Sequence, residues 1–149
     1  MNHPPRILVV GDNDINIIAT SLEGRGYATL QAEDGEEALA AIGRHAPDLI
    51  ILDVMMPKLD GLEICRQLRG RTISEFVPVI LLTAKADTND VVACLDAGAD
   101  EYLTKPIDQA ALVARVRSAL RIKALHDQVR AQEAARRPQL VKPRTTAGR

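Results

Sequence analysis

Asp48-Leu49-Ile50-Ile51-Leu52-Asp53-Val54-Met55-Met56-Pro57 decides how this chain folds. Four apolar residues stand between two aspartates, and a proline closes the stretch soon afterwards. A run this short, rich in β-branched residues and stopped by a carboxylate and a proline, is the pattern of a parallel strand buried on both faces. Such a strand delivers Asp53 to the carboxyl edge of its sheet, the edge at which open α/β sheets bind ligands. A carboxylate there can be a metal ligand, a nucleophile or both.

Working outward, apolar runs alternate with amphipathic segments five times. Strands are expected at Arg6 to Val10, Ala28 to Ala32, Leu49 to Asp53, Val79 to Thr83 and Glu101 to Thr104. Helices are expected at Ile15 to Arg25, Gly35 to Arg44, about Leu62 to Leu68, about Thr88 to Ala97, and from Asp108, a helix cap, onward. Five βα units in this order imply an α/β fold, a doubly wound five-stranded parallel sheet with helices on both faces. The last helix carries Leu112, Val113, Val116 and Leu120 for the sheet, then continues through Ile122, Leu125 and Val129 at heptad-like spacing. That continuation reads either as a partner-binding extension or as a frayed end. The division expected is one domain over 1–122, a helical extension or connector over 123–137, and a disordered basic tail over 138–149, where Pro138 and Pro143 fall.

Bulk properties narrow the class. At 149 residues the chain holds one domain with a full core plus an extension. No apolar stretch approaches the roughly 18 residues of a membrane span, and the first residues carry no signal-peptide segment, so a cytoplasmic protein is expected. Cys65 and Cys94 lack CxxC spacing and read as buried free thiols; His3, His45 and His126 are scattered. The formal net charge of −1 conceals an asymmetry. Residues 1–114 carry 9 basic and 18 acidic side chains, whereas residues 115–149 carry 10 and 2. The tail has no aromatic residue to stack on bases, so it reads as a solvated basic helix, and neither a nucleic-acid nor a membrane partner is expected.

Each strand end contributes to the same edge. Gly11-Asp12-Asn13-Asp14 follows the first strand, Asp53 ends the third, Thr83-Ala84 the fourth, and Lys105-Pro106 the fifth. A lone strand-end aspartate is usually a helix cap and a lone Lys-Pro a surface turn. Together they bring carboxylates, a hydroxyl and an ammonium to one point. Carboxylates with a carbonyl suit Mg²⁺, which prefers hard oxygen ligands and also coordinates phosphate. Asp53 can then attack phosphorus, while Lys105 and the Thr83 hydroxyl bind the remaining phosphoryl oxygens.

In these motifs, together with Asp60-Gly61, Leu81-Leu82-Thr83-Ala84 and Asp100-Glu101-Tyr102-Leu103-Thr104-Lys105-Pro106, the chain resembles the receiver domains of two-component response regulators over residues 6–122. The resemblance implies a flavodoxin-like sheet of strand order 2-1-3-4-5 and phosphorylation of Asp53 by a histidine kinase or histidine phosphotransfer protein. It implies Mg²⁺ held by Asp12, Asp53 and the Met55 carbonyl. Thr83 and Tyr102 would form the switch, acting on the face of the fourth helix, fifth strand and fifth helix. A downstream protein target would read that face, and a homodimer through it or through the C-terminal helix is a further implication. The chain would be a signalling module, not an enzyme in its own right, although it takes part in its own phosphorylation and dephosphorylation.

One residue departs from the pattern. Most receivers carry two adjacent acidic residues after the first strand, and here the first of the pair is Gly11, which implies a weaker metal site. Met55 and Lys85, which flank the phosphoryl group in receivers, imply slow self-dephosphorylation, because a thioether holds water poorly. Three rivals remain. A degenerate receiver would act as an interaction module without phosphorylation. A phosphatase of the haloacid dehalogenase type needs a second aspartate where Met55 stands, and a dinucleotide-binding domain needs the GxGxxG that Gly11-Asp12-Asn13-Asp14 does not supply.

Overall fold

The computed structural model describes residues 4–11, 15–54, 61–70, 76–84 and 88–147, with backbone alone at 88 and from 136 onward. Strands β1 (Arg6–Val10), β2 (Ala28–Ala32), β3 (Leu49–Asp53), β4 (Val79–Thr83) and β5 (Glu101–Thr104) alternate with helices α1 (Ile15–Glu23), α2 (Gly35–His45), α3 (Gly61–Gly70), α4 (Thr88–Asp96) and α5 (Gln109–Ala147). All strands run parallel in the order β2-β1-β3-β4-β5. This is the flavodoxin-like, doubly wound sheet that the sequence implies, with the strand limits read from it.

Successive side chains of a strand point to opposite faces, and that alternation sorts the core into two layers. Leu8, Val10, Ile50, Leu52 and Leu81 face Ala38 of α2, Ile64, Cys65 and Leu68 of α3, and Cys94 of α4. Ile7, Val9, Leu49, Ile51, Ile80 and Leu82 face Ile15, Ile18 and Leu22 of α1 and Leu112, Val116 and Ala119 of α5. Because β3 and β4 are buried at every position, their sequences are apolar throughout rather than alternating.

Local signals set the helix limits. Asp34 caps α2 by accepting from Glu37 N at 2.9 Å, and Glu37 Oε1 accepts from Glu33 N at 2.8 Å. Acidic residues in the first turn of α2 and basic ones in its last turn complement the helix dipole. Asp108 caps α5, as expected, by accepting from Ala110 N at 3.1 Å. Beyond that start α5 runs to Ala147. Each of Pro138 and Pro143 deletes one hydrogen bond of the ladder at a local cost, and the backbone here stays helical through both. Among the described residues no helix is long and apolar enough to cross a membrane.

Cys65 and Cys94 are buried and free, as read from the sequence. Burial pushes the Cys65 thiol up from 9.0 to about 11, the neighbouring Arg69 guanidinium opposing it, and burial also raises Cys94. A thiol whose folded pKa exceeds its unfolded value favours folding below the unfolded value and loses that contribution as pH rises through the folded one. Native protein at pH 8 is therefore expected to resist alkylation at both cysteines, with stability declining between about pH 9 and 11. Rapid alkylation of folded protein, followed by mass spectrometry, would contradict the burial assigned to these thiols.

Candidate functional site

Asp53 closes β3, the central strand, with 7% of its surface exposed. The chain then turns at Val54, whose N–H donates to Leu82 O at 2.9 Å. On the next strand Thr83 occupies the corresponding end and is equally buried. Lys105 follows β5 directly; its backbone N–H donates to Thr83 O at 2.8 Å, and the Lys105–Pro106 peptide is cis. From that anchor its side chain reaches past β4 to place Nζ 2.6 Å from Asp53 Oδ2. The site is thus a buried carboxylate neutralised by a cation from two strands away, with a hydroxyl on the strand between.

Two glycines bring backbone close to Asp53. Gly61 opens α3, and its N–H donates to Val54 O at 3.0 Å. A Cβ at Gly61 would stand 2.5 Å from Asp53 O and 3.0 Å from Val54 Cα, so only glycine lets the helix begin against the strand end. Gly11 is buried on the other side, and a Cβ there would meet Ile15 Cγ2 at 2.8 Å, Asp53 Cβ at 3.2 Å and Asp53 Oδ2 at 3.5 Å. The departure noted in the sequence therefore touches Asp53 itself. Sequence reasoning placed Gly11 at the site but not the closeness of Ile15, which a side chain at position 11 would meet.

Tyr102 lies on β5 opposite Leu81, partly buried against the core layer that contains Cys94 and Ala97. Asp12, Met55 and Lys85 lie outside the described residues. Among the described residues no group of three metal-ligating side chains gathers. The donor that the structure does describe, a buried carboxylate, is a hard oxygen ligand of the kind a small divalent cation takes. Beside the starts of α1 and α5, a groove of about 440 Å³ is lined by Asn16, Ile17, Thr20, Ser21 and Gln109. A larger cleft, about 630 Å³, lies at the opposite edge of the sheet against Pro5, Asp48 and Lys123, away from this chemistry.

Chemically, a carboxylate held by a fixed cation beside a hydroxyl can attack an electrophilic phosphorus while the cation offsets charge on the phosphoryl oxygens. Comparison with known proteins points the same way. Residues 7–117 match the response regulator receiver domain. Response regulator PleD of Caulobacter vibrioides is 43% identical over 134 residues, covering 89% of this chain and 30% of PleD. That match takes in residues 123–130 wherever it begins. Response regulator MprA of Mycobacterium sp. (strain KMS) is 48% identical over 120 residues, 79% of this chain and 51% of MprA. The chain thus spans from under a third to about half of these relatives. The receiver domain of the sensor histidine kinase PA1611 from Pseudomonas aeruginosa PAO1 superposes with a TM-score of 0.72 at 34% identity, over 78% of this chain and 98% of that one; its crystal structure has a magnesium ion coordinated in the active site cleft.

The approach of Gly61 to Asp53 yields an expectation independent of activity. Gly61→Ala should lower stability by about 1–3 kcal/mol, since backbone rather than a flexible side chain must move. Urea unfolding that showed no loss would contradict the packing described at the strand end.

Proposed function

This chain belongs to the response regulator receiver domains of two-component systems, and from that premise we propose that Asp53 is its phosphoacceptor. The observation that carries the reading is the 2.6 Å contact between Lys105 Nζ and the buried Asp53 carboxylate. In the reaction an Asp53 oxygen forms a bond to phosphorus, the phosphorus–nitrogen bond of a phosphohistidine breaks, and its electron pair returns to the imidazole. Lys105 then exchanges the carboxylate for a phosphoryl oxygen, and the Thr83 hydroxyl donates to another. Tyr102 follows into the space that Thr83 leaves, which changes the face made by α4, β5 and α5.

Asp12, Asp53 and the Met55 carbonyl are the proposed holders of Mg²⁺. When bound, the ion supplies charge neutralisation at the phosphoryl oxygens. The phosphodonor is a histidine kinase or histidine phosphotransfer protein, and the uncharged groove at Ile17 and Gln109, beside the site, suits its approach. Support for a protein target, or for a homodimer, on the α4-β5-α5 face comes from Val92 and Leu95, exposed on α4, and from the Arg115–Glu101 pair at 3.6 Å. The C-terminal helix, through Leu125 and Val129, is the other dimer surface. Residues 1–122 form the receiver and 123–137 its helical extension on this reading.

Incubation with acetyl phosphate and Mg²⁺ should add one phosphoryl group to the intact protein and none to Asp53→Asn. Equal labelling of the two proteins in intact-mass spectra would refute the assignment. No labelling of either, with a partner still bound, would favour the degenerate receiver, the reading that Gly11 supports.

The closeness of Ile15 and Asp53 to any side chain placed at Gly11 sets a second expectation. Gly11→Asp adds an anion beside the cation's place, which should tighten Mg²⁺ binding by about tenfold. It must also displace the Ile15 methyl, at a stability cost of about 1 kcal/mol. Calorimetric titration and urea unfolding measure the two effects; unchanged or weaker binding would contradict the role given to the missing carboxylate.

A further inference from the structure

Arg69, near the end of α3, joins the segment that leads into β4 to the turn after α4. Its Nε donates to Gly98 O at 2.8 Å, one terminal nitrogen to Val77 O at 3.0 Å, and the other to Asp100 Oδ2 at 2.6 Å. The same Asp100 oxygen accepts from Val79 N at 2.8 Å. Gly98 has φ +104, and a Cβ there would lie 2.5 Å from Arg69 Cγ, so the turn after α4 is shaped to admit this side chain. The guanidinium carbon stands 5.9 Å from the centre of the Phe76 ring, at the limit of cation–π attraction. Phe76 in turn stacks on His126 of α5, with centroids 4.2 Å apart and planes at 26°.

His126 sits in the part of α5 that extends past the family's own limits, within the stretch matched by PleD. A helix leaving its domain loses the packing that stabilises it. Here the root of the extension keeps one tertiary anchor, the ring stack, beside a buried Lys123 that pairs within the helix to Asp127 at 3.1 Å. The other end of the Arg69 network is the turn after α4. Among the described side chains of α4 only Cys94 is buried. That helix begins shortly after Thr83 and ends at the turn whose Gly98 carbonyl Arg69 holds.

We propose that Phe76 and His126 form a clasp that holds the root of the α5 extension in the unphosphorylated receiver, and that phosphorylation opens it through α4, Gly98 and Arg69. The switching half rests on Asp53 being the phosphoacceptor; the clasp itself does not. A displacement of α4 withdraws the Gly98 carbonyl from Arg69, Arg69 loosens over Phe76, and the ring stack is lost. The receiver's output then includes the freedom of residues 123–130.

Hydrogen exchange of 123–130, followed by mass spectrometry on the full chain with and without beryllofluoride and Mg²⁺, tests this. Binding of the analogue is read separately from its fluorine resonance. Exchange should quicken about threefold or more when the analogue binds. In Phe76→Ala it should be fast in both states, and in His126→Phe, which preserves a stacked ring, it should follow the parent protein. Bound analogue with unchanged exchange would overturn the switching, and slow exchange in Phe76→Ala would overturn the clasp. Failure of the analogue to bind would instead remove the phosphoacceptor reading and the switching with it, while the Phe76→Ala comparison still decides the clasp.

Discussion

One buried charge contact organises the carboxyl edge of this molecule: Lys105 Nζ on Asp53 Oδ2. A carboxylate as buried as Asp53 is costly without a cation, and the cation comes from beyond β5, 52 residues along the chain. The pair cannot form until β3, β4 and β5 lie side by side, with Lys105 N fastened to Thr83 O. The site is therefore a product of the completed sheet rather than of any local motif. The same contact explains how a small chemical change can move structure. On the proposed reading, conversion of the carboxylate to an acyl phosphate would shift negative charge outward, and Lys105 and Thr83 would follow it.

The fold was legible because its signals are local. Leu49–Asp53 and Val79–Thr83 are buried on both faces, so each is an unbroken apolar run between turn residues, and each of the five strands was read with its observed limits. Asp108 was legible as a cap for the same reason. Asp53, Thr83 and Lys105 meet at one edge because strand ends of a parallel sheet must, and that much topology can be inferred from the order of elements. The contacts that hold the rest were not legible. Arg69 resembles any solvated arginine at a helix end, and nothing near it announces Gly98 or Asp100, 29 and 31 residues away. Gly11 was recognised as a missing acid, but the closeness of Ile15 to it depends on how α1 packs. Pro138 and Pro143 were read as part of a disordered tail, and the backbone of α5 is helical at both positions.

Charge distribution gives α5 a particular character. The body of the chain is acidic and the last segment basic, yet several of those bases are engaged within the chain: Arg115 with Glu101 and Lys123 with Asp127. The first pair ties the helix to β5 and the second lies within α5, while the exposed Ile122, Leu125 and Val129 leave an apolar stripe outward. The helix thus covers one face of the sheet through Leu112, Val116 and Ala119 and presents apolar residues to solvent further along.

The central claim, that the lysine-paired carboxylate at the end of β3 accepts the phosphoryl group, is tested most directly by locating the modification chemically. Borohydride reduces an acyl phosphate on aspartate to homoserine, leaving a permanent mark at the modified residue. After phosphorylation and reduction, peptide sequencing should find homoserine at position 53 and at no other aspartate. Homoserine elsewhere, or an unmodified Asp53 in protein that carries the phosphoryl group, would contradict the account.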